Sequence, residues 1–296
     1  MASHESRLSY WWPWWRRLHG YLALARISNS PTVASNVLAG AALAGALAPN
    51  GNIALLAVAM VLFYTAGMFL NDLCDYAIDC RARPDRPLPS GAVTRAEASA
   101  ATVGLFVGGL AMLWLLGPTP FLGGLVLVGL IVLYDIWHKS NPLSPLIMAG
   151  CRAMVYVIAF VVFAPQPTGA LALAASVLGL YIVGLTALAK SEALPGAAKH
   201  WPAVALILPA VAFLAQRPSL AALPTALVFL GWVLYSLSFA YRKRGRSIGG
   251  AIGRLIAGVA LCDALVLALA RAWLGVALAL VAFGLTLLFQ RYIKGT

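Results

Sequence analysis

Charge is scarce in this chain of 296 residues, and acid is scarcer than base. Only 10% of residues are charged, and nine Asp and Glu stand against 21 Lys and Arg, a net charge of +12. With 62% hydrophobic residues and a mean hydropathy of +0.88, such a composition excludes a soluble globular domain. The four cysteines, Cys74, Cys80, Cys151 and Cys262, have neither zinc-ligand spacing nor an extracellular setting, so free thiols are expected rather than a disulfide framework or a zinc centre. The opening residues lack the apolar region of a signal peptide. They carry Trp11-Trp12-Pro13-Trp14-Trp15-Arg16-Arg17 instead, and Trp clustered beside Arg reads as an interfacial anchor over residues 1–27. No inverted repeat with matching broken helices is visible, which counts against a transporter.

What the chain has in abundance is long apolar runs. They are read as spans at 31–48, 53–72, 98–116, 119–136, 145–164, 168–189, 201–216, 222–241, 250–270 and 273–290, each near the ~20 residues that cross a bilayer core. The seventh is short and holds Pro202 and Pro209, and only Arg271-Ala272 separates the last two, so nine spans is the alternative count. The expected fold is all-α, a polytopic membrane bundle of nine or ten helices. Gly104 and Gly108 stand at the spacing of close helix packing. If the N-terminus is inside, the outer turns hold only Arg217 and Arg271, and nearly all other Lys and Arg are inside. That asymmetry places the N-terminus and the polar loops in the cytoplasm, at an inner or plasma membrane if the source is bacterial. The positive charge then reflects topology and a face suited to lipid headgroups and phosphates; it gives no reason to invoke nucleic acid.

Against this background, Asn71-Asp72-Leu73-Cys74-Asp75-Tyr76-Ala77-Ile78-Asp79 stands out, with three carboxylates in nine residues. On a helix Asp72, Asp75 and Asp79 fall within an arc of roughly 60°, with Asn71 roughly 40° beyond it. Like charges on one face repel, and an oxygen-only set suits Mg²⁺ shared with a substrate phosphate. Arg81, Arg83 and Arg86 follow, leading into Pro87-Leu88-Pro89-Ser90-Gly91. Acid followed by a basic loop reads as a diphosphate site, although the positive-inside rule would also put arginines here. Lys139 has the same two explanations. Further polar residues gather at predicted inner helix ends, from Tyr134-Asp135 to His138-Lys139 and from Thr186 to Lys190-Ser191-Glu192, and one cavity could collect them. Asp135 and His138 read as an interfacial cap. Lys190 and Glu192 are two apart and would not face each other on a helix, which favours a site role over a charge pair. Within the spans, Asn36, Arg152, Arg254 and Asp263 are isolated polar residues that should face the bundle interior or a cavity. Arg152 and Asp263 are expected to pair. Tyr134, Tyr156 and Tyr181 read as packing residues, with a cation–π contact to an allylic carbocation as the alternative for one of them.

Asn71 to Asp79, followed by Arg86-Pro87-Leu88-Pro89-Ser90-Gly91, resembles the first aspartate-rich motif of the UbiA superfamily of intramembrane aromatic prenyltransferases, and the resemblance covers residues 28–296. It implies a helical bundle around a central cavity, Mg²⁺ on Asp72, Asp75 and Asp79, a polyprenyl diphosphate donor, and prenyl transfer to a small acceptor within the bilayer. By the same resemblance Lys139 contacts diphosphate and Asn36 faces the cavity. Asn71, Arg81, Arg83, Arg86, Tyr134 and Arg152 join them as expected substrate contacts. The chain departs from the pattern where a second aspartate cluster would follow span six. Lys190 is then expected to supply positive charge in place of a second metal, beside Glu192, and both are counted with the three aspartates as catalytic. The chain thus resembles a divergent branch of the superfamily, whose acceptors need not be aromatic. A sugar diphosphate donor with a lipid acceptor is one alternative, and non-catalytic binding or transport of a phosphorylated lipid is the other.

Overall fold

A computed structural model of the chain describes residues 13–48, 50–139, 141–191, 200–242 and 247–293. Among these residues there are eleven α-helices and no strand: α1 Pro13–Leu24, α2 Pro31–Leu43, α3 Gly51–Ala82, α4 Arg95–Leu116, α5 Pro118–Trp137, α6 Ser144–Val161, α7 Gly169–Lys190, α8 Trp201–Ala215, α9 Leu223–Tyr241, α10 Ile248–Leu269 and α11 Trp273–Phe289. Local chemistry sets their starts. Proline occupies the first turn of α2, α5, α6, α8 and α9, where its missing N–H has no intrahelical partner to lose. Asn50 accepts from the Ile53 amide at 3.0 Å to cap α3, and Thr94 and Glu97 form a reciprocal capping box on α4.

Each of the ten expected spans coincides with one of α2 to α11. Seven, at Gly51–Ala82, Arg95–Leu116, Pro118–Trp137, Ser144–Val161, Gly169–Lys190, Leu220–Tyr241 and Ile248–Leu269, are long and apolar enough to cross a membrane. The helices α2, α8 and α11 are shorter, at 13, 15 and 17 residues. Position in the bundle differs sharply between spans. In α10, 72% of the most apolar stretch is buried by other helices, against 17% in α4. Val103, Val107, Trp114 and Leu115 of α4 point outward, which costs nothing against lipid tails.

Three features place the site. First, α3 runs 32 residues to Ala82, ten beyond its expected end, so the whole acidic motif sits on one rigid helix. Second, α2 lies hard against α6: a Cβ on Gly40 would come within 2.7 Å of both the Ala159 Cβ and the Tyr156 carbonyl oxygen. Close helix approach is thus carried by Gly40, whereas a Cβ on Gly104 would meet open space. Third, the described part of the expected interfacial segment, from Pro13 on, packs against the bundle. Tyr21 stacks on Phe69 at 6.3 Å, Leu24 and Ala25 share a small core with Phe69, Leu88 and Val93, and Arg17 of α1 pairs with Glu97 of α4.

Candidate functional site

A cavity of about 950 Å³ runs through the middle of the bundle. Its body is apolar, walled by Met60, Phe63, Leu127, Val155, Ile182 and Ile256. One end is charged, where Arg26, Asp72, Arg83, Asp85, Arg86 and Asp135 reach it. The polar end forms where the C-terminal turns of α3 meet the loop that follows, the turn after α1 and the end of α5.

Asp72 and Asp79 are seven residues, about two helical turns, apart on α3 and share a face. One guanidinium serves both: Arg86 Nη1 lies 2.6 Å from Asp79 Oδ2 and 3.5 Å from Asp72 Oδ1. Arg26 Nη2 adds a second cation, 3.2 Å from Asp72 Oδ1 and 3.4 Å from Asn71 Oδ1. Both carboxylates are buried, at 6% exposure each, and a buried carboxylate needs such partners. Asn71 donates from Nδ2 to Asp135 Oδ1 at 3.1 Å. The other oxygen of Asp135, Oδ2, is buried without a hydrogen-bond partner.

The third carboxylate of the motif has gone elsewhere. Asp75 pairs with Lys139 Nζ at 2.6 Å, with His138 Nε2 at 3.9 Å, and His138 is stacked on Tyr134 at 5.0 Å. Asp75 does not line the cavity, nor do Asn71, Asp79, Arg81 and Lys139, whereas Asp72, Arg83, Arg86, Tyr134 and Arg152 do. The expected convergence of three aspartates is therefore split two and one by the basic residues beside them, and no cluster of three metal-ligating side chains stands ready-made among the described residues. The donor chemistry nevertheless fits Mg²⁺. Asp72 and Asp79 are all-oxygen donors that already take one cation between them, as a hard divalent ion would require.

Two expected site residues are employed structurally. Asn36 is fully buried in α2 and outside the cavity lining, and donates from Nδ2 to Asp263 Oδ1 at 2.6 Å. Ser35 and the Tyr156 hydroxyl donate to the same carboxylate. Three neutral donors satisfy Asp263, so the expected ion pair with Arg152 does not form; Arg152 donates to the Thr32 hydroxyl instead. Lys190 donates from Nζ to the carbonyls of His138 at 3.2 Å and Asn141 at 3.0 Å. Its ammonium ties α7 to the turn between α5 and α6 and does not line the cavity, where Ile182, Leu185, Thr186 and Ala189 represent that helix. Glu192 lies outside the described residues. The contacts of Asp75 with Lys139 and of Lys190 with that turn also bring the polar ends of α3, α5 and α7 to one side of the bundle.

Sequence reasoning overlooked Arg26, and with it Asn29 and Thr32, all lining the cavity. A signal was present: Arg26 is the last charged residue before the first apolar run. The positive-inside rule explained Arg26 away.

The sequence profile of the UbiA prenyltransferase family matches residues 33–246. Among curated relatives, the digeranylgeranylglyceryl phosphate synthase of Methanoregula boonei is 42% identical over 132 residues, 42% of this chain and 44% of that protein. The enzyme of the same name from Methanoculleus marisnigri is 32% identical over 123 residues, covering 41% and 43%. The chain thus spans less than half the length of these relatives. Among solved structures, the apo form of a UbiA homolog from Aeropyrum pernix K1 superposes with a TM-score of 0.66 at 20% identity, over 79% of this chain and 96% of that one. A UbiA homolog from Archaeoglobus fulgidus bound to GPP and Mg²⁺ gives 0.62 at 14% identity, over 87% and 99%. These likenesses establish the fold as that of an integral, multi-pass membrane protein.

Proposed function

Because this chain belongs to the UbiA prenyltransferase family, we propose that it transfers a prenyl group from a polyprenyl diphosphate to a small phosphorylated acceptor inside the membrane. One observation carries the reading: Arg26, Asp72 and Arg86, with Asp79 paired to Arg86 behind them, stand at the end of an apolar cavity large enough for a lipid chain. An apolar body with one charged end matches a prenyl diphosphate, and it favours that donor over a sugar diphosphate, whose hydroxyls would need polar walls. The acceptor class follows from the relatives, whose name denotes a glyceryl phosphate carrying geranylgeranyl chains. We infer a glyceryl phosphate, bare or already singly prenylated, in preference to an aromatic acceptor.

In this scheme Arg26, Arg83 and Arg86 bind the diphosphate oxygens, and the apolar wall holds the chain and excludes water from the reacting carbon. Asp72 and Asp79, with Asp75 if Lys139 releases it, would hold Mg²⁺, which when bound neutralises charge on the departing diphosphate. The C–O bond of the donor breaks with its electron pair passing to diphosphate. The acceptor hydroxyl oxygen bonds to the prenyl C1, and its proton passes to Asp135 Oδ2, the carboxylate oxygen without a hydrogen-bond partner. The basic residues near this end support a reading in which the cavity mouth opens to the cytoplasmic face.

The test is mass spectrometry of lipids formed in sealed vesicles given geranylgeranyl diphosphate, a glyceryl phosphate acceptor and Mg²⁺. Inside-out vesicles, which expose the cytoplasmic face, are expected to form the ether product, and right-side-out vesicles to form none. Equal product from both orientations would refute the placement of the mouth, and product formed equally well in EDTA would refute the metal.

A further inference from the structure

Arg152 is a cation with too few partners. It stands on α6 on the face formed with Met148, Cys151 and Val155, all lining the cavity, so a single charge interrupts an otherwise apolar wall. Its Nη2 donates to the Thr32 hydroxyl, which itself donates to the Asn29 carbonyl at 2.8 Å. Its Nε is buried without a hydrogen-bond partner. Among the described residues no carboxylate lies within ion-pair distance of it, and the buried carboxylate of Asp263 is taken by Ser35, Asn36 and Tyr156. A guanidinium offers five donors in a planar fork suited to phosphate or carboxylate, and one that Asp263 attracts only from beyond ion-pair distance is costly at membrane depth. That cost is consistent with a charge that waits for an anion.

Arg152 makes none of the contacts that tie Arg26, Asp72, Asp79 and Arg86 together. Arg26, which touches Asp72, and Thr32, which touches Arg152, are six residues apart along a 3₁₀ turn and the start of α2, on the order of 10 Å at about 1.5–2 Å per residue. A cavity of about 950 Å³ has room for two anions with a prenyl carbon between them.

We propose that Arg152, steadied by Thr32, is the anchor for the anionic head group of the acceptor, and so selects acceptors that carry a phosphate or carboxylate. The inference rests on the prenyl-transfer reading and adds to it a second anion site on α6. The acceptor is then read at both ends: its head on Arg152 and its nucleophile near the diphosphate end.

The experiment uses the full chain in lipid nanodiscs and three probes: a prenyl glyceryl ether phosphate, the same ether as the free alcohol, and 4-hydroxybenzoate. Donor binding is measured separately with a non-hydrolysable prenyl diphosphate. The wild-type protein should bind the phosphate ether at least about 10-fold more tightly than the alcohol, and Arg152→Gln should lose about 10- to 100-fold for the phosphate and bind both ethers alike, with donor affinity unchanged. Arg152→Lys should recover part of the preference. Competition by 4-hydroxybenzoate as strong as that of the phosphate ether would identify a carboxylate-bearing acceptor on the same anchor. Wild-type protein that treats phosphate and alcohol alike, or Arg152→Gln that keeps the wild-type preference, overturns the proposal. Should Arg152→Gln not fold, Thr32→Val together with the wild-type discrimination decides it. Loss of donor binding in the wild-type protein would instead refute the prenyl-transfer reading itself.

Discussion

Arg26 holds φ 42° and ψ 45°, a left-handed backbone that costs a non-glycine residue about 1–2 kcal/mol. Strain of this kind survives where its surroundings enforce it. Here the Tyr64 hydroxyl donates to the Arg26 carbonyl at 3.3 Å, and the guanidinium is drawn to Asp72 and Asn71. The turn therefore aims a cation at the acidic motif. Arg26→Gln is expected to weaken prenyl diphosphate binding by about 10- to 100-fold, as the loss of one charge-assisted contact of about 1.5–3 kcal/mol requires. Arg26→Gly should lose affinity to the same extent while its backbone strain is relieved, so its melting temperature should fall less than that of Arg26→Gln. Titration calorimetry and thermal melts read both quantities. Donor affinity unchanged in Arg26→Gln would reduce Arg26 to a counter-charge for Asp72.

The elements divide by how their information is stored. Every helix from α2 to α11 was legible as an apolar run, and the shared face of Asp72 and Asp79 followed from helical periodicity, because both properties are local. What escaped the sequence was decided between elements. Lys139 draws Asp75 away from its neighbours, three donors from α2 and α6 satisfy Asp263 on α10, and Lys190 reaches across to the turn between α5 and α6. None of these partners is near in sequence except by folding. For α7 the consequence is testable, since Lys190 binds two backbone carbonyls and not the cavity. Lys190→Ala is expected to lower stability by about 1–2 kcal/mol and to leave donor affinity within about 2-fold of wild type. A large loss of donor affinity in circular-dichroism-verified protein would return Lys190 to the site.

For the whole molecule, scarcity of acid is the organising fact. Nine acidic residues serve 296 positions, and five of them, Asp72, Asp75, Asp79, Asp85 and Asp135, come to the polar end of the bundle or its immediate surroundings. Membrane helices supply the apolar body, α10 among them with Ile252, Ile256 and Val259, and the turn after α1 completes the charged mouth. His19, Ala23 and Arg26, from the segment read as an interfacial anchor, thus line the cavity, while α7, after which the family pattern has a second aspartate cluster, contributes Ile182, Leu185, Thr186 and Ala189. The central claim is that Asp72 and Asp79 take up a metal with the donor diphosphate at this mouth. Binding of Mn²⁺, a spectroscopic substitute for Mg²⁺, followed by electron paramagnetic resonance with and without prenyl diphosphate, tests that claim most directly. Wild-type protein should bind the ion far more tightly in the presence of the diphosphate, and folded Asp72→Asn and Asp79→Asn should each lose that enhancement; an enhancement undiminished in both variants would contradict the account.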